Sequence, residues 1–297
     1  MTAPAAPRSW LYVPGHRPER VAKALAAGAD AVVVDLEDAV PAAQKDAARE
    51  LTVALVAERA GDAGGPPLWV RVNPPDTDAG RRDVAALAGA PVVGLRVPRA
   101  EDPDAVREVA ERTGARLQVL LESARGLTRA AELAAASELV CGLGLGEADL
   151  AADLLVDRDE GLRWARGAVV VAARAAGLPA PVQSVWTDVA DLEGLRDSSR
   201  VGRATGFWGR SVVHPRQIAV VHEVYTPSDE EVRAAERVLA AAEEAAARGE
   251  SAVLDPDGRF VDPAVVARAR VVLSRVPQPG RSAVPTSAPD PSPGGTR

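Results

Sequence analysis

The chain has 297 residues, long for one small domain and about right for one α/β barrel with an appendage. Its formal net charge of −7, with acids and bases interspersed, excludes general nucleic-acid binding, which needs a net basic surface, but leaves room for a local basic pocket. The single cysteine, Cys141, excludes an intramolecular disulfide, and no apolar run approaches a membrane span.

Short apolar runs alternate with helical patterns along most of the chain. Taken in order, strands are predicted at 10–14, 30–36, 68–73, 92–98, 116–123, 138–144, 182–187 and 208–214. Helices are predicted at 18–27, 42–59, 81–88, 103–112, 127–135, 158–176, 191–203 and 216–221. Eight such units point to a closed parallel (β/α)8 TIM barrel over residues 1–225, although periodicity alone also permits a doubly wound sheet. After Tyr225 the pattern changes to a long Ala/Glu helix at 228–248, capped by Ser228 and led by Asp229, Glu230 and Glu231. A turn at 255–258 and a proline-initiated helix at 263–275 complete a small C-terminal helical unit, 226–275. Residues 276–297 are rich in Pro, Ser and Gly, and are expected to form a disordered tail. The N-terminus shows no charged head followed by an apolar segment, so a cytoplasmic location is expected.

In a barrel, functional groups gather where strands end. Strand two ends in Asp35-Leu36-Glu37-Asp38, strand three holds Arg71 and ends in Asn73, and strand five ends in Glu122. The sixth runs into Gly144-Leu145-Gly146-Glu147-Ala148-Asp149. Glu122 follows Val119-Leu120-Leu121, where a strand interior should be apolar, so its carboxylate needs a cation or donors. Glu122 and Asp149, on neighbouring units, suit Mg²⁺ (or Mn²⁺), which binds oxygens and leaves positions open. The bland reading is a loop cap, or pairing with Arg71 or Arg125. Glu37 is the best placed of the acidic trio to contact a water on such a cation, while one of the three is expected to cap a helix. Arg71 suits a carboxylate or a developing enolate oxygen; its bland reading is a buried salt bridge to Glu37 or Glu122. The glycine run at 142–146 lacks the order of a phosphate loop, and marks a close approach of backbone to ligand. His16, His214 and His222 are too scattered for a zinc set, and His214 suits a structural strand end. Lys23 with Arg17 and Arg20, near the first helix, forms either a solvated face or a phosphate-holding group for a long cofactor.

With these residues the chain resembles the citrate lyase beta-subunit-like branch of the HpcH/HpaI aldolase superfamily. The similarity lies in Arg8-Ser9-Trp10-Leu11-Tyr12-Val13-Pro14-Gly15, in Asp35-Leu36-Glu37-Asp38-Ala39-Val40, and in Lys45 and Arg49. It continues through Val70-Arg71-Val72-Asn73, Leu121-Glu122-Ser123-Ala124-Arg125-Gly126, Leu145-Gly146-Glu147-Ala148-Asp149-Leu150 and His214-Pro215-Arg216-Gln217-Ile218. The turn Asp257-Gly258-Arg259-Phe260-Val261-Asp262-Pro263 looks like the family's lid motif. The chain departs from the pattern at Pro181-Val182-Gln183, where relatives carry an Ile-Asp pair, and at Phe260 and Arg210, where Met and Lys are frequent.

The resemblance implies a (β/α)8 barrel, Mg²⁺, a coenzyme A thioester and a homotrimer or homohexamer. By motif position, Glu122 and Asp149 would bind the metal and Arg71 would stabilise a thioester enolate. Asp262 would be the acid/base, on a lid reaching a neighbouring subunit's site. The amides around Glu147 and Ala148 would help hold a keto acid. The expected reaction is lyase chemistry on a 3-hydroxyacyl-CoA of the malyl, citramalyl, citryl or hydroxymethylglutaryl type, giving an acyl-CoA and a keto acid. Rival expectations are a CoA-thioester hydrolase on the same site, a CoA-independent pyruvate aldolase, and a non-catalytic acyl-CoA-binding subunit. The Asp262 lid, and the lack of a histidine ending strand two, weigh against the aldolase.

Overall fold

The computed structural model describes residues 6–61, 64–250, 252–255 and 258–276; the expected tail falls outside them, apart from Val276. The chain opens with β1 (Ser9–Pro14), α1 (Pro18–Leu25), β2 (Ala31–Asp35) and α2 (Lys45–Glu58). There follow β3 (Leu68–Arg71), α3 (Asp78–Leu87), β4 (Gly94–Val97), α4 (Pro103–Thr113) and β5 (Arg116–Leu121). Two short helices, α5 (Ala124–Thr128) and α6 (Ala130–Ala134), stand where one is predicted at 127–135. Next come β6 (Val140–Leu145), α7 (Glu147–Asp153), α8 (Arg163–Ala175), α9 (Leu192–Ala204), β7 (Arg210–Val212) and α10 (Ile218–Tyr225).

All seven strands join one parallel sheet in the order β6-β5-β4-β3-β2-β1-β7. Six of the expected strands plus the last are therefore present, and the one predicted at 182–187 is not a strand. That segment makes only single parallel bridges, Val182 to Gly144 of β6 and Gln183 to Arg210 of β7, so it links the two edge strands. Its ladder ends because side chains take over its fastening. Ser184 Oγ donates to the Leu145 carbonyl at 2.7 Å and accepts from the Glu147 amide at 3.1 Å. Gln183 Nε2 donates to the Ser198 carbonyl at 3.0 Å, and its Oε1 accepts from the Tyr225 hydroxyl at 2.6 Å.

Strand alternation divides the apolar residues between two faces. Leu11, Val32, Val34, Val70, Leu95 and Val119 point outwards and pack with the helices in the main core. Trp10, Ala31, Val33 and Trp69 form a small cluster inside the curl. Trp10 and Trp69 meet edge to face, with ring centroids 5.2 Å apart. Gly94 lies against the Trp69 ring, where any side chain would collide with it, so glycine lets β4 pass this bulky pair.

After α10 come α11 (Asp229–Ala247), a two-strand ribbon of β8 (Val253–Leu254) and β9 (Phe260–Val261), and α12 (Pro263–Ser274). Ser228 and Glu231 form a capping box at the start of α11, bonding reciprocally at 3.2 and 2.8 Å. The unit rests on the outer helices. Arg203 of α9 holds both carboxylate oxygens of Glu231 at 2.8 Å, and the Arg275 guanidinium lies 4.2 Å from the centre of the Trp208 ring. No helix among the described residues is long and apolar enough to cross a membrane.

Candidate active site

A cavity of about 710 Å3 opens where the strands end, and Asp35, Arg71, Glu122, Glu147, Ala148 and Asp149 all line it. Register explains the first part of the cluster. Asp35 and Arg71 are direct partners on neighbouring parallel strands, so their side chains share the inner face. Arg71 Nε and Nη2 donate to the two oxygens of Asp35, each at 2.7 Å. Its Nη1 lies 2.7 Å from Glu37 Oε2 and 3.2 Å from Asp38 Oδ2. Asp35 is 1% exposed and also accepts from the amides of Glu37 and Ala39, both at 3.0 Å. Arg71 thus pairs with Glu37, as the sequence suggested, but its bidentate partner is Asp35, and it makes no ion pair with Glu122. Burial opposes the Arg71 charge, but the bonds to Asp35 and the nearby acids hold its pKa above the ordinary value.

Glu37 and Glu122 are both 6% exposed. Burial pushes Glu37 up to about 8, outweighing an Arg71 contact that Asp35 and Asp38 share, and Glu122 adds to the rise. Burial likewise pushes Glu122 up to about 7, against the Arg99 amide that it accepts at 2.9 Å and with the Asp149 charge adding to the rise. That amide is aimed by an unusual backbone, since Arg99 has φ +48. Asp149 is half exposed, 3.7 Å from the Arg99 guanidinium. Two buried or half-buried carboxylates in mutual repulsion, with Glu122 Oε2 meeting a single amide, are a donor set that a divalent cation fits. No cluster of three or more ligating side chains occurs among the described residues; Mg²⁺ commonly takes one or two carboxylates and fills its shell with water and substrate.

Below this pair, Lys45 braces the end of β2. Its Nζ donates to the carbonyls of Leu36 and Glu37 and to Asn73 Oδ1, at 2.9, 3.0 and 2.6 Å. Arg49 Nε reaches Asp83 at 2.7 Å, and Asp83 in turn accepts from the Asn73 amide and side chain. Glu147 is held by Arg166 through two bonds of 2.9 and 2.7 Å, a partner that sequence reasoning missed because it lies on the following helix.

Three predicted residues lie elsewhere. Arg17 and Lys23 are exposed and do not line the cavity; Arg20, between them on α1, does. Asp262 is the N-cap of α12, its Oδ1 accepting from the Val265 amide at 2.8 Å, and it too is away from this chain's cavity. His214 caps the turn before α10, accepting from the Arg216 amide at 3.2 Å. Among functional candidates missed from sequence, Arg96 and Gln118 line the inner end of the cavity; an arginine within the apolar run 94–97 was the available signal.

Residues 8–215 match the HpcH/HpaI aldolase/citrate lyase family. The chain is 39% identical over 285 residues to the citrate lyase subunit beta-like protein of Mycobacterium tuberculosis, covering 93% of this chain and 97% of that one. It is 37% identical over 273 residues to the (3S)-malyl-CoA thioesterase of Cereibacter sphaeroides, covering 90% and 94%. The crystal structure of Mycobacterium tuberculosis protein CitE in complex with magnesium, acetoacetate and coenzyme A superposes with TM-score 0.76 at 38% identity, over 91% of this chain and 98% of that one. On this fold and these relatives, the chain belongs to the HpcH/HpaI aldolase/citrate lyase family, in its citrate lyase beta-subunit-like branch.

Proposed function

We propose that the chain is a Mg²⁺-dependent CoA-ester lyase that breaks or forms the carbon–carbon bond of a 3-hydroxyacyl-CoA. The observation that carries this is the convergence of Arg71, Glu122 and Asp149 on one cavity, with Glu122 buried and its carboxyl raised. Glu122 and Asp149 would hold the cation. When bound, it would supply polarisation of the keto-acid oxygen and lower the pKa of the substrate hydroxyl. Arg71, fixed by Asp35, commits three of its five N–H groups to Asp35 and Asp38, and the rest would serve the enolate oxygen of the acyl-CoA. Glu37 would order water beside the site. The Ala148 amide, at the start of α7, would orient the keto-acid carboxylate, the Glu147 amide being given to Ser184 Oγ. Arg17 and Lys23 stand either side of Arg20 in sequence and would meet the cofactor phosphates. Asp262 would protonate the enolate carbon from a neighbouring subunit, since in its own chain it caps α12 away from the cavity. This reading entails a closed eight-unit barrel, with the 182–183 bridges as its seventh member, a homotrimer or homohexamer with α12 as part of a lid, and action in the cytoplasm.

The similarity to a (3S)-malyl-CoA thioesterase favours a second reading, hydrolysis of the thioester at the same site. The purified protein is incubated with Mg²⁺ and a panel of malyl-, citramalyl-, citryl- and hydroxymethylglutaryl-CoA, scoring keto acid and free CoA separately. The lyase releases keto acid and acyl-CoA in equal amounts with no free CoA. Free CoA without keto acid selects the hydrolase, and neither product from any member overturns both.

A further inference from the structure

A separate cavity of about 460 Å3 opens where α9 and α10 meet α12 of the C-terminal unit, and it shares no lining residue with the first. Arg275, which lines it, packs on Trp208, and Trp208 precedes β7. This cavity therefore lies toward the end of the sheet where strands begin, away from the mouth where they finish. α9 delivers Arg200 and Arg203 to it, the α12 segment delivers Arg268 and Arg275, and the acids are Glu223 and Glu231.

Both acids are already committed. Arg203 holds the two oxygens of Glu231 at 2.8 Å, and Arg196 holds those of Glu223 at 3.1 and 3.0 Å. Arg200 meets the exposed Asp197 at 3.2 Å. Arg268 and Arg275 have no carboxylate within ion-pair distance among the described residues. Stacking on Trp208, 4.2 Å from the ring centre, leaves the N–H donors of Arg275 available in the guanidinium plane. Burial and the Arg203 charge hold the Arg275 pKa below its ordinary value, as befits a cation without a counter-charge.

Two guanidiniums gathered at one cavity without acids of their own repel each other, and a ligand with two or more negative charges relieves both. The arginines come from two sides, α9 and α12. A planar carboxylate offers one edge to such a pair, whereas a phosphate presents oxygens in several directions and suits the guanidinium fork. Arg268 and Arg275 are also seven residues apart, about 10 Å along the helix axis, more than one phosphate spans. The cavity has the volume of a small-molecule site, and Val224, Val271 and Val272 give it an apolar wall. We infer that it is a binding site for a diphosphate group, free or carried by a nucleotide, that ties α9 to α12, the helix capped by Asp262. None of its residues serves the mouth, so the site stands or falls independently of the lyase reading.

The test is calorimetric titration of the full chain, in metal-free buffer, with inorganic pyrophosphate and separately with ADP. Tighter binding of ADP assigns the nucleotide, tighter binding of pyrophosphate assigns the free anion, and binding of neither overturns the proposal. Arg268 is exposed and makes no ion pair among the described residues, so Arg268→Gln removes the charge with little else. It is expected to lose about tenfold or more in affinity for the preferred ligand, and Arg268→Lys to recover only part of the loss. A double variant at the mouth, Arg17→Gln with Lys23→Gln, should stay within about twofold of wild type. An Arg268→Gln protein that binds as wild type does, or a mouth variant that loses as much as Arg268→Gln, overturns the site. Should Arg268→Gln not fold, hydrogen exchange of the wild type with pyrophosphate decides. Slowed exchange at the end of α9 and along α12 supports the site, and slowing elsewhere or nowhere overturns it.

Discussion

Gly146 lies over the carboxylate of Glu122: a β-carbon at position 146 would stand 2.5 Å from both Cγ and Oε1 of that side chain. The end of β6 can therefore pass the acid only as glycine. Gly146→Ala should force Glu122 off its bond to the Arg99 amide and weaken Mg²⁺ binding by about tenfold or more, with a small change in melting temperature. Metal titration by calorimetry checks this, and an unchanged Mg²⁺ affinity would show that the close approach has no bearing on the cation.

The two carboxylates should matter to the cation in their own right. Glu122→Gln and Asp149→Asn each keep shape and remove charge, so each should weaken Mg²⁺ binding by about tenfold or more and leave the fold intact. Glu122→Gln should gain slightly in stability, since burial already disfavours its ionised form. Equal Mg²⁺ dependence in both variants and the wild type would remove these residues from the metal assignment.

Arg71 is fastened before any substrate arrives, by the paired bonds to Asp35. An ammonium cannot reproduce that fork, so Arg71→Lys should misplace the charge more than remove it. We expect kcat to fall about a hundredfold while KM changes less than about threefold, because the lost bond is made mainly in the transition state. A change confined to KM would make Arg71 a ground-state anchor instead.

A pH effect on stability is expected from the other end of the sheet. His222 Nε2 sits 2.8 Å from Ser9 Oγ and 3.4 Å from Asp30 Oδ1. Burial lowers its pKa below 6.5, with Asp30 opposing and Arg8 assisting. The unfolded chain therefore binds the proton more readily. Stability from the neutral ring is fully present above pH 6.5 and is lost as pH falls through the lower folded value. His222→Gln should flatten this dependence, so that its melting temperature relative to wild type improves by a few degrees between pH 7 and pH 5. Parallel melting curves across that interval would exclude the effect.

Much of the architecture was legible because strand and helix periodicities differ, and because Asp35, Arg71, Glu122 and Asp149 follow strands where a barrel places its chemistry. The segment at 182–187 misled because apolar alternation reports a half-buried extended chain, not its hydrogen bonds. There the backbone pairs only around Val182 and Gln183, and the side chains of Gln183 and Ser184 add further bonds. The Asp35–Arg71 pair was equally hidden, since choosing among three nearby acids requires the register between β2 and β3. Glu147 was read as a ligand-facing group, but its bidentate partner Arg166 is nineteen residues away, a separation that sequence spacing does not mark.

Asp262 offers the sharpest separation of structural from chemical roles. In its own chain it caps α12, accepting from the Val265 amide at 2.8 Å, and it does not line the cavity. Asparagine caps a helix about as well as aspartate, so the structural role alone predicts an almost silent Asp262→Asn. A proton donor has no such substitute. Turnover of the 3-hydroxyacyl-CoA should then fall about a thousandfold or more, with the melting temperature within a few degrees of wild type. Since the cap does not line the cavity of its own chain, a proton donor at this position would act on a neighbour's site. Mixing Asp262→Asn subunits with Glu122→Gln subunits, each inactive alone, should restore partial activity, because some sites then combine an intact metal pair from one chain with an intact acid from another. Native mass spectrometry verifies that mixed oligomers have formed. If they have and no activity returns, Asp262 is a helix cap and the proton must come from elsewhere in the cavity.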